Sequence, residues 1–145
     1  MNREGRAVYT WESNYTPGNS VYLLENGNLL HTGTIRSNTF DVGGSGGIVE
    51  EIAPDGSVIW SFKYADDGVH LHHDIEPMPN GNILMIAWEF ITAAEAVVAG
   101  RNPNTVNDSG LWPDHIVEVD PATNQIVWDN CCLFATYDLR VNVGR

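Results

Sequence analysis

Internal repetition limits what this chain can fold into more than any other feature. Glu25-Asn26-Gly27-Asn28-Leu29-Leu30 recurs as Pro79-Asn80-Gly81-Asn82-Ile83-Leu84, a shift of 54 residues. In both copies apolar residues flank an Asn-Gly pair, the strongest short-range hairpin signal. A type I′ turn, with positive φ at both central residues, is the expected form. A second module, Gly5-Arg6-Ala7-Val8-Tyr9-Thr10-Trp11, returns as Gly56-Ser57-Val58-Ile59-Trp60-Ser61-Phe62, 51 residues later. It returns again as Asn124-Gln125-Ile126-Val127-Trp128, a further 68 on. Before the last two copies stands a matching strand, Ile48-Val49-Glu50-Glu51 and Ile116-Val117-Glu118-Val119.

The resulting order is strand, Pro/Asp/Gly turn, strand, loop, strand, Asn-Gly turn, strand, which reads as an antiparallel all-β fold. Four strands in about 50 residues is the arithmetic of a β-propeller blade. A β-sandwich accounts for strands and turns but not for two modules recurring in the same order. The expected architecture is therefore all-β, with about two to three propeller blades in residues 1–129. A closed propeller needs typically four to eight blades, so the chain reads as an internal piece of a longer array. Residues 130–145 match no repeat and are expected to form a divergent tail. Unpaired strand edges at both ends then predict an aggregation-prone chain, inactive by itself.

The longer interval between later modules contains Thr92-Ala93-Ala94-Glu95, a capping-box spacing, followed by Ala96-Val97-Val98-Ala99 and Gly100. One short helix in an inserted loop is expected there. The Asn-, Asp- and Pro-rich stretch from Arg101 to Gly110 reads as loop.

A formal charge of −12, with one lysine (Lys63), repels phosphate backbones and anionic lipid, so neither nucleic acid nor a membrane is an expected partner. No apolar run approaches the roughly 20 residues of a membrane-spanning helix. Cys131 and Cys132 are adjacent and say little about redox compartment, because one peptide unit does not suit disulfide geometry.

His70-Leu71-His72-His73-Asp74 is the densest cluster of groups suited to catalysis. Strand alternation predicts His70, His72 and Asp74 on one face and His73 on the other. Imidazole can serve as acid, base, nucleophile or ligand near neutrality. Histidines satisfied structurally at a blade edge are the plain alternative. A divalent-metal site at His70, His72 and Asp74 is a weaker one, since no zinc spacing is met. No metal or cofactor is expected. Trp112-Pro113-Asp114-His115 ends the inserted loop and supplies a second candidate, with His115 as a substrate contact. Arg36 offers a cation to a sulfate or carboxylate. Gly43-Gly44-Ser45-Gly46-Gly47 lacks the lysine of a phosphate loop and reads as a flexible connection.

Three stretches carry a resemblance: Gly5 to Trp11, Tyr22 to Leu30, and His72-His73-Asp74-Ile75-Glu76-Pro77-Met78-Pro79-Asn80-Gly81-Asn82-Ile83-Leu84. Together with Leu111 to Val119 and Gln125 to Trp128, they are similar to bacterial arylsulfotransferases. The resemblance implies a six-bladed propeller whose central channel holds the active site. It implies transfer of a sulfuryl group from a phenolic sulfate ester to a phenol through a histidine, and a commonly periplasmic location. On it His73 and His72 match a His-Asp motif before a hairpin and take sulfuryl binding or acid–base roles, with Asp74 orienting a ring. A non-catalytic propeller scaffold, or a quinone-cofactor-like propeller, is the alternative.

Overall fold

The computed structural model describes residues 3–131. The first sheet holds β1 (Thr16–Leu23), β2 (Leu29–Thr34), β3 (Gly47–Ile52) and β4 (Val58–Lys63), paired antiparallel in sequence order. The second repeats that order with β5 (Val69–Pro77), β6 (Ile83–Glu89), β7 (Asp114–Asp120) and β8 (Gln125–Cys131). The chain is all-β in consecutive four-stranded units, as its repeats require. Two units are complete among the described residues. Gly5–Trp11, expected as a further strand, is not one. A strand exists through hydrogen bonds to a neighbour, and among the described residues none pairs with this segment. At the other end β8 runs through Cys131, past the boundary expected at residue 129; the rest of the expected tail, 132–145, lies outside the described residues.

The hairpins form where Asn-Gly placed them, but in a different turn. Gly27 and Gly81 have φ of 83° and 88°, whereas Asn26 and Asn80 are not in the positive region. Gly27 N–H donates to Leu24 O and Leu24 N–H to Asn28 O; Met78, Gly81 and Asn82 repeat both bonds. This is a type I turn closed by a left-handed glycine, not the expected type I′. The Asn side chain decides it. Its Oδ1 accepts the N–H two residues on, at 3.0 Å in both copies, which holds the Asn itself in a right-handed conformation. Asn28 and Asn82 then reach the third strand, donating to Glu51 and Glu118.

The helix appears as expected. Thr92 caps α1 (Ala93–Val98), and the Thr92–Glu95 capping box is made in both directions. The following loop contains one 3-10 turn, Pro103–Thr105.

The sheets stack around one core of Leu30, Val49, Leu71, Ile75, Met85 and Val117, with Tyr22, Trp60 and Phe62 packed against it. Cross-strand pairing puts Tyr22, Leu30, Glu51 and Trp60 on one face of the first sheet, toward the second. The equivalent row on the second sheet is Glu76, Leu84, Glu118 and Trp128, on its far side. The two units therefore stack in the same orientation. Side-chain hydrogen bonds cross the junction from Ser20 to Asp74 at 2.6 Å, Tyr22 to Glu76 at 3.0 Å and Trp60 Nε1 to Asn124 at 3.1 Å, and Ser45 Oγ meets His70 Nε2 at 2.9 Å. Register also shows that Glu118 is the counterpart of Glu51, so the third strands align one residue away from the Ile48/Ile116 match in the sequence. The longer β7–β8 turn absorbs the offset, with Asn124 (φ 58°) taking the left-handed role of Gly56 (φ 88°). Both first strands lose register at the same place, between Pro17 and Val21 and between Leu71 and Ile75.

Candidate active site

That irregularity in β5 builds the site. His73 sits at φ 52°, a left-handed conformation uncommon for a residue with a side chain. Strict alternation is lost, and the expected split of the histidines between two faces does not occur. Instead His73 turns onto the side of His72: their Nδ1 atoms are 2.8 Å apart and their rings meet edge to face. Asp74 is turned away from both rings. It accepts from Ser20 Oγ and from the backbone N–H of Ile75, so the ring-orienting role expected of it is not what its contacts serve.

Three chain segments enclose the pair. The β2–β3 loop, residues 35–46, lies against β5: Gly44 O accepts from His73 N–H at 2.8 Å, and Gly46 N–H donates to Leu71 O at 2.9 Å. The glycine run expected to be a flexible connection is thus a paired contact surface. Phe40 of that loop is 1% exposed and its ring lies by those of His70, Trp88 and Trp112. From β6 comes Trp88, stacked on His72 with centroids 4.0 Å apart. The end of the inserted loop brings Trp112 and then Asp114, whose Oδ1 is 3.3 Å from His72 Nε2.

The histidines differ in surroundings. His70 and His72 are buried, while His73 is exposed beside them. Burial pushes the pKa of His70 down, against a smaller opposing effect of the Gly46 backbone. His72 is also pushed down, first by burial and then by neighbouring His73, while the Asp114 carboxylate works the other way. His70 Nε2 is 2.9 Å from Ser45 Oγ.

Both rings enter the fold neutral, which fixes a sign. An unfolded chain takes up these protons near pH 6.5, the folded one only at lower pH. The stability of neutral burial is complete above about pH 6.5 and is lost as pH falls through the folded values. Urea midpoints are expected to fall between about pH 7 and about pH 5, before most carboxylates titrate. The slope is expected to flatten in His70→Gln. A flat wild-type profile across that window contradicts neutral burial.

The remaining expected residues are not gathered here. His115 is 7% exposed on the opposite face of the second sheet, edge-on to Tyr64, with both ring nitrogens buried and unpartnered. Arg36 is exposed and lines a separate cavity of about 360 Å³ with Thr34, Asn38, Phe40 and Ser45. Ser45 is the link, since it also bonds His70. No metal site assembles at His70, His72 and Asp74, because Asp74 faces Ser20. Among the described residues no three His, Cys, Asp or Glu side chains are placed to hold a metal ion.

Gly44 was not legible as a site residue from its type alone. At φ 86°, a Cβ there would lie 2.3 Å from His73 Cε1. Gly44→Ala is expected to expel the His73 ring from its place and destabilise the chain by about 1 kcal/mol or more through the left-handed backbone. Loss of the His72–His73 contact in histidine NMR spectra would show it; unchanged ring signals would refute it.

Two like-oriented four-stranded sheets carrying a histidine pair at a strand irregularity define an all-β protein with a candidate acid–base site. The arylsulfotransferase (ASST) family model matches residues 3–141, and the chain belongs to that family. Neither the curated proteins nor the solved structures contain a match to it.

Proposed function

We propose that the two sheets are consecutive blades of a β-propeller and that the His72–His73 pair serves sulfuryl transfer from a phenolic sulfate ester to a phenol. Family membership supports the reaction class. The observation that carries the site is the 2.8 Å Nδ1–Nδ1 contact, which ties an exposed imidazole to a buried one and leaves the Nε2 of His73 out of that contact. In this reading His73 meets the sulfuryl oxygens or the phenolic oxygen. As imidazolium it donates from Nε2 to an anionic ester; as imidazole it takes a proton from the acceptor phenol. Buried His72 orients it, and Trp88 holds His72 by stacking. Arg36, on the same β2–β3 loop but at the separate cavity, adds positive charge to a chain otherwise strongly acidic and is a second contact for a sulfate ester in this reading. Asp74 and His115 have no part in it, since their side chains point elsewhere.

The test is release of nitrophenol from p-nitrophenyl sulfate in the presence of a phenol acceptor, using the protein as its gene encodes it. Transfer across none of a panel of donors and acceptors would rule out the reading.

A further inference from the structure

We infer that Asp114 is a positioning residue: its carboxylate sets the tautomer of His72 and, through the Nδ1–Nδ1 contact, the tautomer of His73. The inference rests on the sulfuryl-transfer reading for its purpose, though not for its geometry.

Proton counting carries it. Only one proton fits between two Nδ1 atoms 2.8 Å apart, so one ring donates and the other accepts. By itself that contact is symmetric and leaves two arrangements open. His72 breaks the symmetry at its other nitrogen. Its Nε2 makes no hydrogen bond of good geometry but lies 3.3 Å from Asp114 Oδ1, and an ionised carboxylate attracts an N–H and only accepts. The proton of a neutral His72 therefore belongs on Nε2. A buried ring, 4% exposed, holds one proton and not two. Its Nδ1 is then a lone pair, and the shared proton is the one on His73 Nδ1. His73 is left with its Nε2 lone pair directed away from His72.

Asp114 reaches this position because β7 begins with it, opposite Trp88 in the ladder, so the carboxylate and the indole stacked on His72 come from paired residues. The groups facing the pair are thus Asp114 from β7, Trp88 and the Ala87 backbone from β6, and the Gly44 carbonyl from the β2–β3 loop. Only Asp114 is charged. In its absence the opposite arrangement, with His72 protonated on Nδ1 and His73 on Nε2, becomes competitive. His73 then offers a donor where a base is needed.

Nitrogen-15 NMR of histidine-labelled protein reads the tautomers directly, without substrate. At a pH where both rings are neutral, the wild type is expected to show His72 protonated on Nε2 and His73 on Nδ1. Asp114→Ala is expected to give mixed tautomers on both rings, and Asp114→Glu to restore the wild-type pattern. Asp114 is more than half exposed, and backbone amide spectra check that each variant remains folded. A wild-type His73 protonated on Nε2, or tautomers unmoved in Asp114→Ala, overturns the inference. With p-nitrophenyl sulfate, Asp114→Ala is expected to lower kcat by about tenfold or more at near-constant KM. Correct tautomers in a protein that transfers no sulfuryl group would sink the functional reading and leave the proton arrangement standing.

Discussion

Replacing His73 with asparagine is expected to lower sulfuryl transfer by a factor on the order of 10²–10⁴, the range typical of losing a positioned acid–base group. Asparagine is the informative substitution. It tolerates the left-handed backbone at φ 52°, so the irregularity in β5 survives and only the imidazole is lost. Alanine at the same position adds a backbone penalty of roughly 1–2 kcal/mol and confuses folding with chemistry. His73 is exposed and makes no core contact of the kind Leu71 and Ile75 make, so the melting transition of His73→Asn should stay near that of the wild type. Steady-state rates with p-nitrophenyl sulfate measure the effect. A rate within a few-fold of wild type would remove His73 from the reaction.

The second large effect is on stability and lies away from the site. Glu50 is 4% exposed and His31 7%. His31 Nε2 is 3.2 Å from Glu50 Oε2, Ser13 Oγ donates to the same oxygen at 2.6 Å, and His31 Nδ1 is 3.0 Å from Thr32 O. Both ring nitrogens of His31 have a partner, and His31 and Ser13 together cover one oxygen of a buried carboxyl group. Glu50→Ala leaves the buried His31 Nε2 and the Ser13 hydroxyl without that partner. The expected cost is about 3–5 kcal/mol, read from urea unfolding. The repeat supplies the control. Cross-strand register places Met85 and Val117 in the second sheet where His31 and Glu50 stand in the first. The double variant His31→Met with Glu50→Val is therefore expected to recover most of the loss, since an apolar pair of similar volume replaces a buried polar pair at little cost. A Glu50→Ala variant as stable as wild type would show that the pair is not buried in solution.

Features set by short sequence separation were the legible ones. Asn-Gly marked two hairpins, and Thr92 with Glu95 marked α1 together with its cap. Even there the turn type was misread, because the Asn side chain competes for the backbone and leaves only the glycine left-handed. His72 and His73 stood out by residue type, but their geometry did not. Alternation separated them, whereas pairing of β5 with β6 leaves three β5 residues opposite one of β6, two more than a regular ladder holds, and reunites them. Asp114 and Trp88 reach His72 across the ladder between β6 and β7, at a separation no local pattern reports. Gly44 was discounted for want of a lysine, yet its value lies in having no Cβ beside His73. The same two extra residues turn Asp74 toward Ser20, which no local pattern reports.

The shared irregularity of β1 and β5 has a bearing on how such a site arises. Gly18, Asn19 and Ser20 occupy in β1 the places that His72, His73 and Asp74 occupy in β5. The interruption belongs to the repeat, and the imidazoles are side chains placed in it. The backbone is not identical at the two places, since His73 is left-handed at φ 52° and Asn19 is not, so the histidine pair depends on backbone and side chain together. One unit can keep the spot inert while its neighbour specialises. Two like sheets thus hold a register break at the same place, and only the second carries imidazoles there.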